Sequence, residues 1–374
     1  ACTITLPSSA EAGDQIILVD YARTWGTNAI TIDSNGLNFQ GSPDTYTVDY
    51  DTAGQAVNLV YSGATIGWTP SSDIVNALEP VAPPTQKAIF GFGDTPGGNV
   101  SMSNLVNSSG VIAADVTGVG TARTFLGAAT YGGDKALFGF GSTGSNSSVT
   151  NLVSNSGVIG SDVTGVGTAR AQLTATEYGE DKAIFGYGFV TSNPGVSMSN
   201  LVSNSGVVAT DVTGVGTARY YLAAARYGVG LAIFGYGTTG SSVSTTNLVN
   251  SSGVISSDVT GVGSARKGVA ACAYGGDKAI FGYGVNDGGT NTSATNLVSN
   301  VGVVSSDVSG VGTTRRYLAA TNYGGDKGIF AYGNTTGRVS MSNLVSNSGV
   351  VASDVTGVGT AREGLAGAGY SYSA

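Results

Sequence analysis

No histidine occurs anywhere in this chain of 374 residues. That removes the commonest metal ligand and the commonest general base at neutral pH. Cysteine is nearly absent as well. Cys2 and Cys272 are too few for a disulfide framework, and Cys272 stands where other copies of a repeat carry a small residue, so it reads as a buried small side chain. Only 11% of the residues are charged, and no apolar run reaches the roughly 18 residues of a membrane-spanning helix. Nor is there the basic surplus of a nucleic-acid binder. The net charge is −8, and residues 1–86 hold nine acids (Glu11, Asp14, Asp20, Asp33, Asp44, Asp49, Asp51, Asp73, Glu79) against Arg23 alone. The remainder balances fifteen acids with fifteen bases. The chain starts at Ala1 with no signal-peptide pattern, so either a leader has been removed or a longer protein precedes it.

What is plentiful is glycine, with 60 residues, alongside Val, Thr, Tyr and Ser. That mixture favours short strands and tight turns over helices. The first part reads as five strands, Cys2–Leu6, Gln15–Asp20, Ala29–Asp33, Tyr46–Tyr50 and Ala56–Tyr61, separated by turn residues such as Asn35-Gly36 and Ala53-Gly54. Trp25 and Trp68 are expected to pack this small core. Asp44, Asp49 and Asp51 lack the spacing of a calcium loop and read as a solvated strand face. Thr69–Gln86, with Pro70, Pro80, Pro83 and Pro84, reads as a semi-rigid linker in which Val75–Leu78 adds a helical turn.

From Lys87 the chain repeats. Six arginines mark the units: Arg123, Arg170, Arg219, Arg266, Arg315 and Arg362, spaced 47 or 49 apart. An aspartate lies eight residues before each (Asp115, Asp162, Asp211, Asp258, Asp307, Asp354) and a tyrosine eight after. Each unit divides into four strands, as in Leu222–Tyr227, Lys278–Gly284, Asn200–Asn204 and a final V-V-x-x-D-V-T. Four short strands in such a period is the pattern of a β-propeller blade. Lys87 opens on a second strand and the chain ends on a spare first strand within Glu363–Tyr372, so joining the two ends completes a sixth blade. The expected fold is all-β: a six-bladed β-propeller, four strands per blade, its ring closed by the C-terminal strand, behind a small N-terminal β-domain. The divisions are a β-module at 1–68, a linker at 69–86 and the propeller at 87–374. A trimeric β-solenoid fibre is the structural alternative.

Length varies only in the loop after the second strand (94–103, 142–150, 189–199, 238–246, 285–295, 334–342). Loops on rigid scaffolds carry function, so the face holding these loops and the arginines is the expected binding surface. Its candidate contacts are the six arginines with Phe189, Asn193, Asn286 and Arg338. The arginines could form a cationic funnel for an acidic glycan. The simpler expectation is a ring of Arg–Asp pairs tying blades together. The tyrosines at the first-strand ends are expected to pack between blades.

Two resemblances add to this. I-T-L-P-S-S-A-E-A-G-D at 4–14, T-W-G-T-N-A-I-T-I-D-S-N-G at 24–36 and V-N-L-V-Y-S-G at 57–63 resemble a β-module of bacteriophage fibre and other virion proteins. The A-R before each first strand, the aliphatic-aromatic second strand ending in glycines and the repeat length resemble kelch-type propellers. The chain departs from kelch in having G-Y-G or G-F-G in place of a glycine pair and in lacking the later tryptophan. The resemblances imply a virion-surface protein, a phage tail or head fibre, that adheres to host-surface polysaccharide through its loops. They also imply other virion proteins as partners and a homo-oligomer, a trimer above all. Neither a cofactor, a nucleic acid nor membrane insertion is expected. A copper oxidase of kelch type would need histidines, and sialidase boxes are absent, so the protein is read as no enzyme; Glu177 and Glu180 are the main hint otherwise. The alternatives are a purely structural capsid or tail decoration protein, or a secreted or bacterial cell-surface scaffold.

Overall fold

The structure, a computed structural model, describes residues 2–43, 48–71, 86–191 and 195–371. Among these every regular element is a strand. The chain divides into two compact units, Ala1–Pro83 and Pro84–Ala374.

In the first unit Cys2–Thr5 runs parallel to Ile30–Asp33, which pairs antiparallel with Val48–Tyr50. A second sheet joins Gln15–Val19, Ala56–Tyr61 and Trp68–Pro70, the last a strand that the proline-rich reading of this stretch had obscured. Alternation in Ala56–Tyr61 turns Val57, Leu59 and Tyr61 into a core shared with Ile32, Phe39 and both tryptophans. Trp68 meets the Tyr61 ring edge-on at 5.5 Å. The Asp20 carboxylate accepts the N–H groups of Thr24, Trp25 and Gly54 and so organises the turn that carries Trp25. Asp44, the proposed helical turn at Val75–Leu78 and nearly all of the proline-rich linker lie outside the described residues.

The second unit holds six three-stranded antiparallel sheets and a two-stranded one, Asp94–Thr95 with Gly98–Asn99. A typical one joins Gly127–Tyr131, Lys135–Gly139 and Thr150–Val153. The sheet begun by Lys87–Gly91 and Ser103–Val106 takes its first strand from the other end of the chain, Ala366–Tyr370. The expected fourth strand is not a continuous one. The segment after each third strand touches it through two isolated bridges, Val106↔Ile112 and Ser103↔Val116 in one case. The outer segment has one more residue between these bridges than the strand it faces, and the extra residue interrupts the ladder as a bulge does.

The six first strands neighbour one another in a cycle: Gly127–Tyr131, Thr174–Tyr178, Ala223–Tyr227, Ala270–Tyr274, Ala319–Tyr323 and Ala366–Tyr370, the last beside the first. Two cyclic sets of backbone hydrogen bonds follow this order. At one end Phe125, Gln172, Tyr221, Gly268, Tyr317 and Gly364 each donate an N–H to the carbonyl of the equivalent residue one sheet back, at 2.6–3.0 Å, and Phe125 donates to Gly364. All six adopt positive φ, between 52° and 62°. At the other end Gly132, Gly179, Gly228, Gly275, Gly324 and Ser371 each donate to the turn of the next sheet at 2.7–2.9 Å, Ser371 reaching Asp134. Six inner strands converge on a narrow space, so their inward positions are small: Ala128, Ala175, Ala224, Ala271, Ala320 and Gly367.

The G-[FY]-G ending of the second strand also has a packing cause. A Cβ on Gly139 would meet the Phe185 ring of the next sheet at 2.6 Å, so the first glycine makes room for a neighbour. The aromatic that follows, such as Phe140, turns to φ 63° and presents its ring to the arginine of the next unit. The first-strand tyrosines are buried, and Tyr131 packs on the hairpin glycine Gly206 of the sheet ahead.

Candidate functional site

All six arginines are buried, none more than 1% exposed. Arg219 shows the arrangement. Its Nε donates to the Tyr236 carbonyl at 3.0 Å, Nη1 to the Thr217 carbonyl at 3.2 Å and Nη2 to Asn247 Oδ1 at 2.6 Å. Its guanidinium lies 4.4 Å from the centroid of the Tyr187 ring in the preceding sheet. A planar fork of donors over an aromatic face is what arginine offers and lysine does not. Burial lowers these guanidinium pKa values, that of Arg123 and Arg170 to about 10.

The cationic funnel is therefore corrected: these arginines offer no charged surface. The Arg–Asp pairs exist, but with a shifted partner. Arg123 approaches Asp162 at 3.9 Å, not the Asp115 eight residues before it, and Asp115 pairs with Arg362 across the joined chain ends. Arg170, Arg219, Arg266 and Arg315 likewise face Asp211, Asp258, Asp307 and Asp354. Each pair lies within one sheet, between the entry to its first strand and its outer segment. What the arginine ties to the preceding sheet is its stacked aromatic ring.

A buried asparagine on each third strand (Asn104, Asn151, Asn200, Asn247, Asn296, Asn343) is the hub. Asn151 accepts from Arg123 and donates to the Gly160 carbonyl and to Asp162. The aspartate also receives the backbone N–H and hydroxyl of Thr121. Partial burial acts to raise the Asp162 pKa, yet the Thr121 and Asn151 hydrogen bonds with the Arg123 charge hold it below the ordinary value. The network is a structural brace, repeated six times.

The loops of varying length do share an end with the arginines. The residue after each arginine bridges to the start of that loop, as in Thr124↔Ser142, Ala171↔Phe189 and Lys267↔Val285. Neighbouring loops are knitted together by Asn99 to the Ser142 carbonyl at 3.0 Å, Asn146 to the Phe189 carbonyl at 3.1 Å and Asn291 to the Asn334 carbonyl at 3.2 Å. Arg338 is engaged in the same way. It pairs with Asp94 and, at 3.3 Å, with Glu363, joining the last loop to the sheet made from the chain ends. Asn286 is exposed, and its Oδ1 caps its own loop by accepting the Thr290 N–H at 3.0 Å. Asn193 lies outside the described residues.

At the middle of this end lies a cluster that the sequence reading missed. Phe125, Tyr221 and Tyr317 come from alternate sheets, half-buried, with ring centroids 5.3, 5.5 and 4.9 Å apart. Gln172, Gly268 and Gly364 fill the other three positions. Tyr220 and Phe189 extend the cluster outward, with centroid distances of 5.5 and 5.6 Å. The Arg316 guanidinium lies 5.5 Å from the Tyr317 centroid. Gln172 Oε1 and Arg316 Nε are buried atoms with no hydrogen-bond partner among the described residues. Burial raises the pKa of Tyr221 and Tyr317, so both hydroxyls remain protonated donors at neutral pH. The legible signal was variation. The two residues after each arginine read Thr-Phe, Ala-Gln, Tyr-Tyr, Lys-Gly, Arg-Tyr and Glu-Gly.

Among the described residues no group of three or more Cys, Asp or Glu side chains is placed to hold a metal ion. Cys272 is buried, its thiol pKa pushed up to about 12. No family model matches the chain. No curated protein matches it either.

Proposed function

We propose that the second unit is a six-bladed β-propeller of kelch-like design, and that its loop face is a non-enzymatic adhesive surface for host polysaccharide. The cyclic order of first strands and the two cyclic sets of backbone hydrogen bonds support the ring. One observation carries the functional reading. Positions that vary from copy to copy gather at the centre of one end as a half-buried aromatic cluster flanked by unpartnered polar atoms. Aromatic faces carry negative quadrupole density and suit the weakly positive C–H faces of sugar rings. Gln172 and Arg316 would supply oriented hydrogen bonds beside them. The buried arginine braces hold the platform rigid, which reduces the ordering cost of binding. The phage-fibre resemblance of the first unit suits display on a virion surface, in an oligomer whose several copies add weak contacts.

A second reading is a purely structural virion component. The knitting of neighbouring loops into one another favours it, since those side chains are engaged internally. The two separate on an array of bacterial capsular and lipopolysaccharide glycans probed with the multimerised full chain. Saturable binding to a subset supports adhesion. A folded protein that binds none of them leaves the structural reading.

A further inference from the structure

The far end of the inner strands breaks the sixfold pattern in a different way. The penultimate positions of the first strands are Thr130, Glu177, Arg226, Ala273, Asn322 and Gly369. A packing role would repeat around the cycle, as the small inner residues do, and these residues share neither size nor charge. All six line the lower part of the space between the strands. Glu177, Arg226 and Thr130 also border a cavity of about 370 Å³ that opens beyond them, walled by Tyr178, Val229 and Leu231. That volume lies near the lower limit of small-molecule sites, about 300 Å³.

The polar atoms here are incompletely used. Glu177 Oε2 and Arg226 Nε stand 3.6 Å apart, and only Nη1 of the arginine is engaged, donating to the Gly276 carbonyl at 3.1 Å. Arg226 Nε and Asn322 Nδ2 are buried atoms with no hydrogen-bond partner among the described residues. Unmade hydrogen bonds at buried donors are costly, so the Arg226 donor beside this cavity suits a ligand that supplies an acceptor. Thr130 does not compete, because its hydroxyl already donates to the Gly369 carbonyl at 2.9 Å.

We infer that this cavity binds one sugar residue, a vicinal diol bridging Glu177 and Arg226. One hydroxyl donates to the Glu177 carboxylate while its neighbour accepts from Arg226 Nε. A hydroxyl is both donor and acceptor, which suits an acceptor and a donor held side by side. Above about pH 7, where Glu177 is ionised, the paired charges select a neutral ligand. An anion would meet Glu177 with Glu180 and Asp181 nearby, and a cation would meet Arg226. Val229 and Leu231 offer apolar wall to the sugar's C–H face. The site lies at the end of the strands away from the aromatic cluster, and the inference stands independently of the adhesive reading of that cluster.

The test titrates the full chain with D-glucose, D-galactose, D-mannose and N-acetyl-D-glucosamine, followed by saturation-transfer NMR and calorimetry. At least one sugar is expected to bind saturably in the millimolar range. Glu177→Ala and Arg226→Ala should each weaken it at least tenfold. Arg226→Met, which keeps most of the side chain's volume, should weaken it as much and serves where either of the others fails to fold. Tyr221→Ala assigns the binding to one end or the other. The inference is overturned if folded wild-type protein binds none of the four, the cavity then holding water alone. It is equally overturned if binding disappears in Tyr221→Ala and survives Glu177→Ala or Arg226→Met.

Discussion

Replacing Arg219 with alanine should be among the most damaging single changes in the second unit. The side chain is fully buried, makes three hydrogen bonds and stacks on Tyr187. Its removal strands the Tyr236 carbonyl and Asn247 Oδ1 and opens a cavity. Asp258 is less exposed to the loss, since it keeps the Thr217 and Asn247 hydrogen bonds and is 34% exposed. Breaking a buried pair on one side costs about 3–5 kcal/mol, and Asp258's remaining partners place this case near the lower figure. Arg219→Met, which refills most of the volume without a charge, should cost roughly half as much. Arg362→Ala should cost the same as Arg219→Ala, although its partners Phe92, Asn104 and Asp115 lie at the other end of the chain. The assay is equilibrium urea unfolding followed by near-ultraviolet circular dichroism, with unchanged denaturant slope as the check on a shared mechanism. A loss under about 1 kcal/mol for Arg219→Ala would refute the brace. An intact Arg362→Ala beside a damaged Arg219→Ala would refute the joining of the chain ends.

Burial raises the Glu177 carboxyl to about 7, against its ordinary 4.5, with Arg226 opposing and Asp181 and Glu180 adding. A folded pKa above the unfolded one means stability that is full below the ordinary value and is lost as pH rises through about 7. Glu177→Gln should therefore equal wild type near pH 4 and exceed it by up to about 3 kcal/mol above pH 8, as read from melting across that range; a pH-independent difference would contradict it. Gly206 stands at φ 81°, and a Cβ there would come within 2.9 Å of the Tyr131 ring of the neighbouring sheet. Gly206→Ala should thus cost more than about 1 kcal/mol, whereas the same change at Gly133, where nothing lies within 4 Å, pays only for its positive φ. Equal melting temperatures for the two variants would remove the packing argument.

The repeat could be cut into strands from the sequence because its apolar and turn residues recur at fixed offsets, and the offset at the two ends pointed to the pairing of Ala366–Tyr370 with Lys87–Gly91. The first unit's strands were legible from alternation, except Trp68–Pro70, where proline at the end of an edge strand reads as linker. What spacing along the chain could not convey is which copy a side chain meets. Arg123 looked matched to Asp115 because eight residues separate them, yet the chain between them crosses from one sheet to the next, and the pair forms with Asp162. Burial of a charged residue is equally hidden: the arginines look like a surface feature until Asn151 and its equivalents are seen to complete a network around them. Phe125, Tyr221 and Tyr317 are far apart in sequence and meet only because alternate sheets point at one axis.

The claim that this aromatic centre is the ligand platform is tested most directly by titrating the multimerised full chain with whichever polysaccharide it binds on the array. Wild type would be compared with a variant carrying Tyr221→Ala and Tyr317→Ala. Stacking on aromatic rings is worth about 0.5–1.5 kcal/mol per pair, so the double variant should lose about fivefold or more in affinity while its melting transition stays cooperative. Undiminished affinity in a folded double variant would contradict the account.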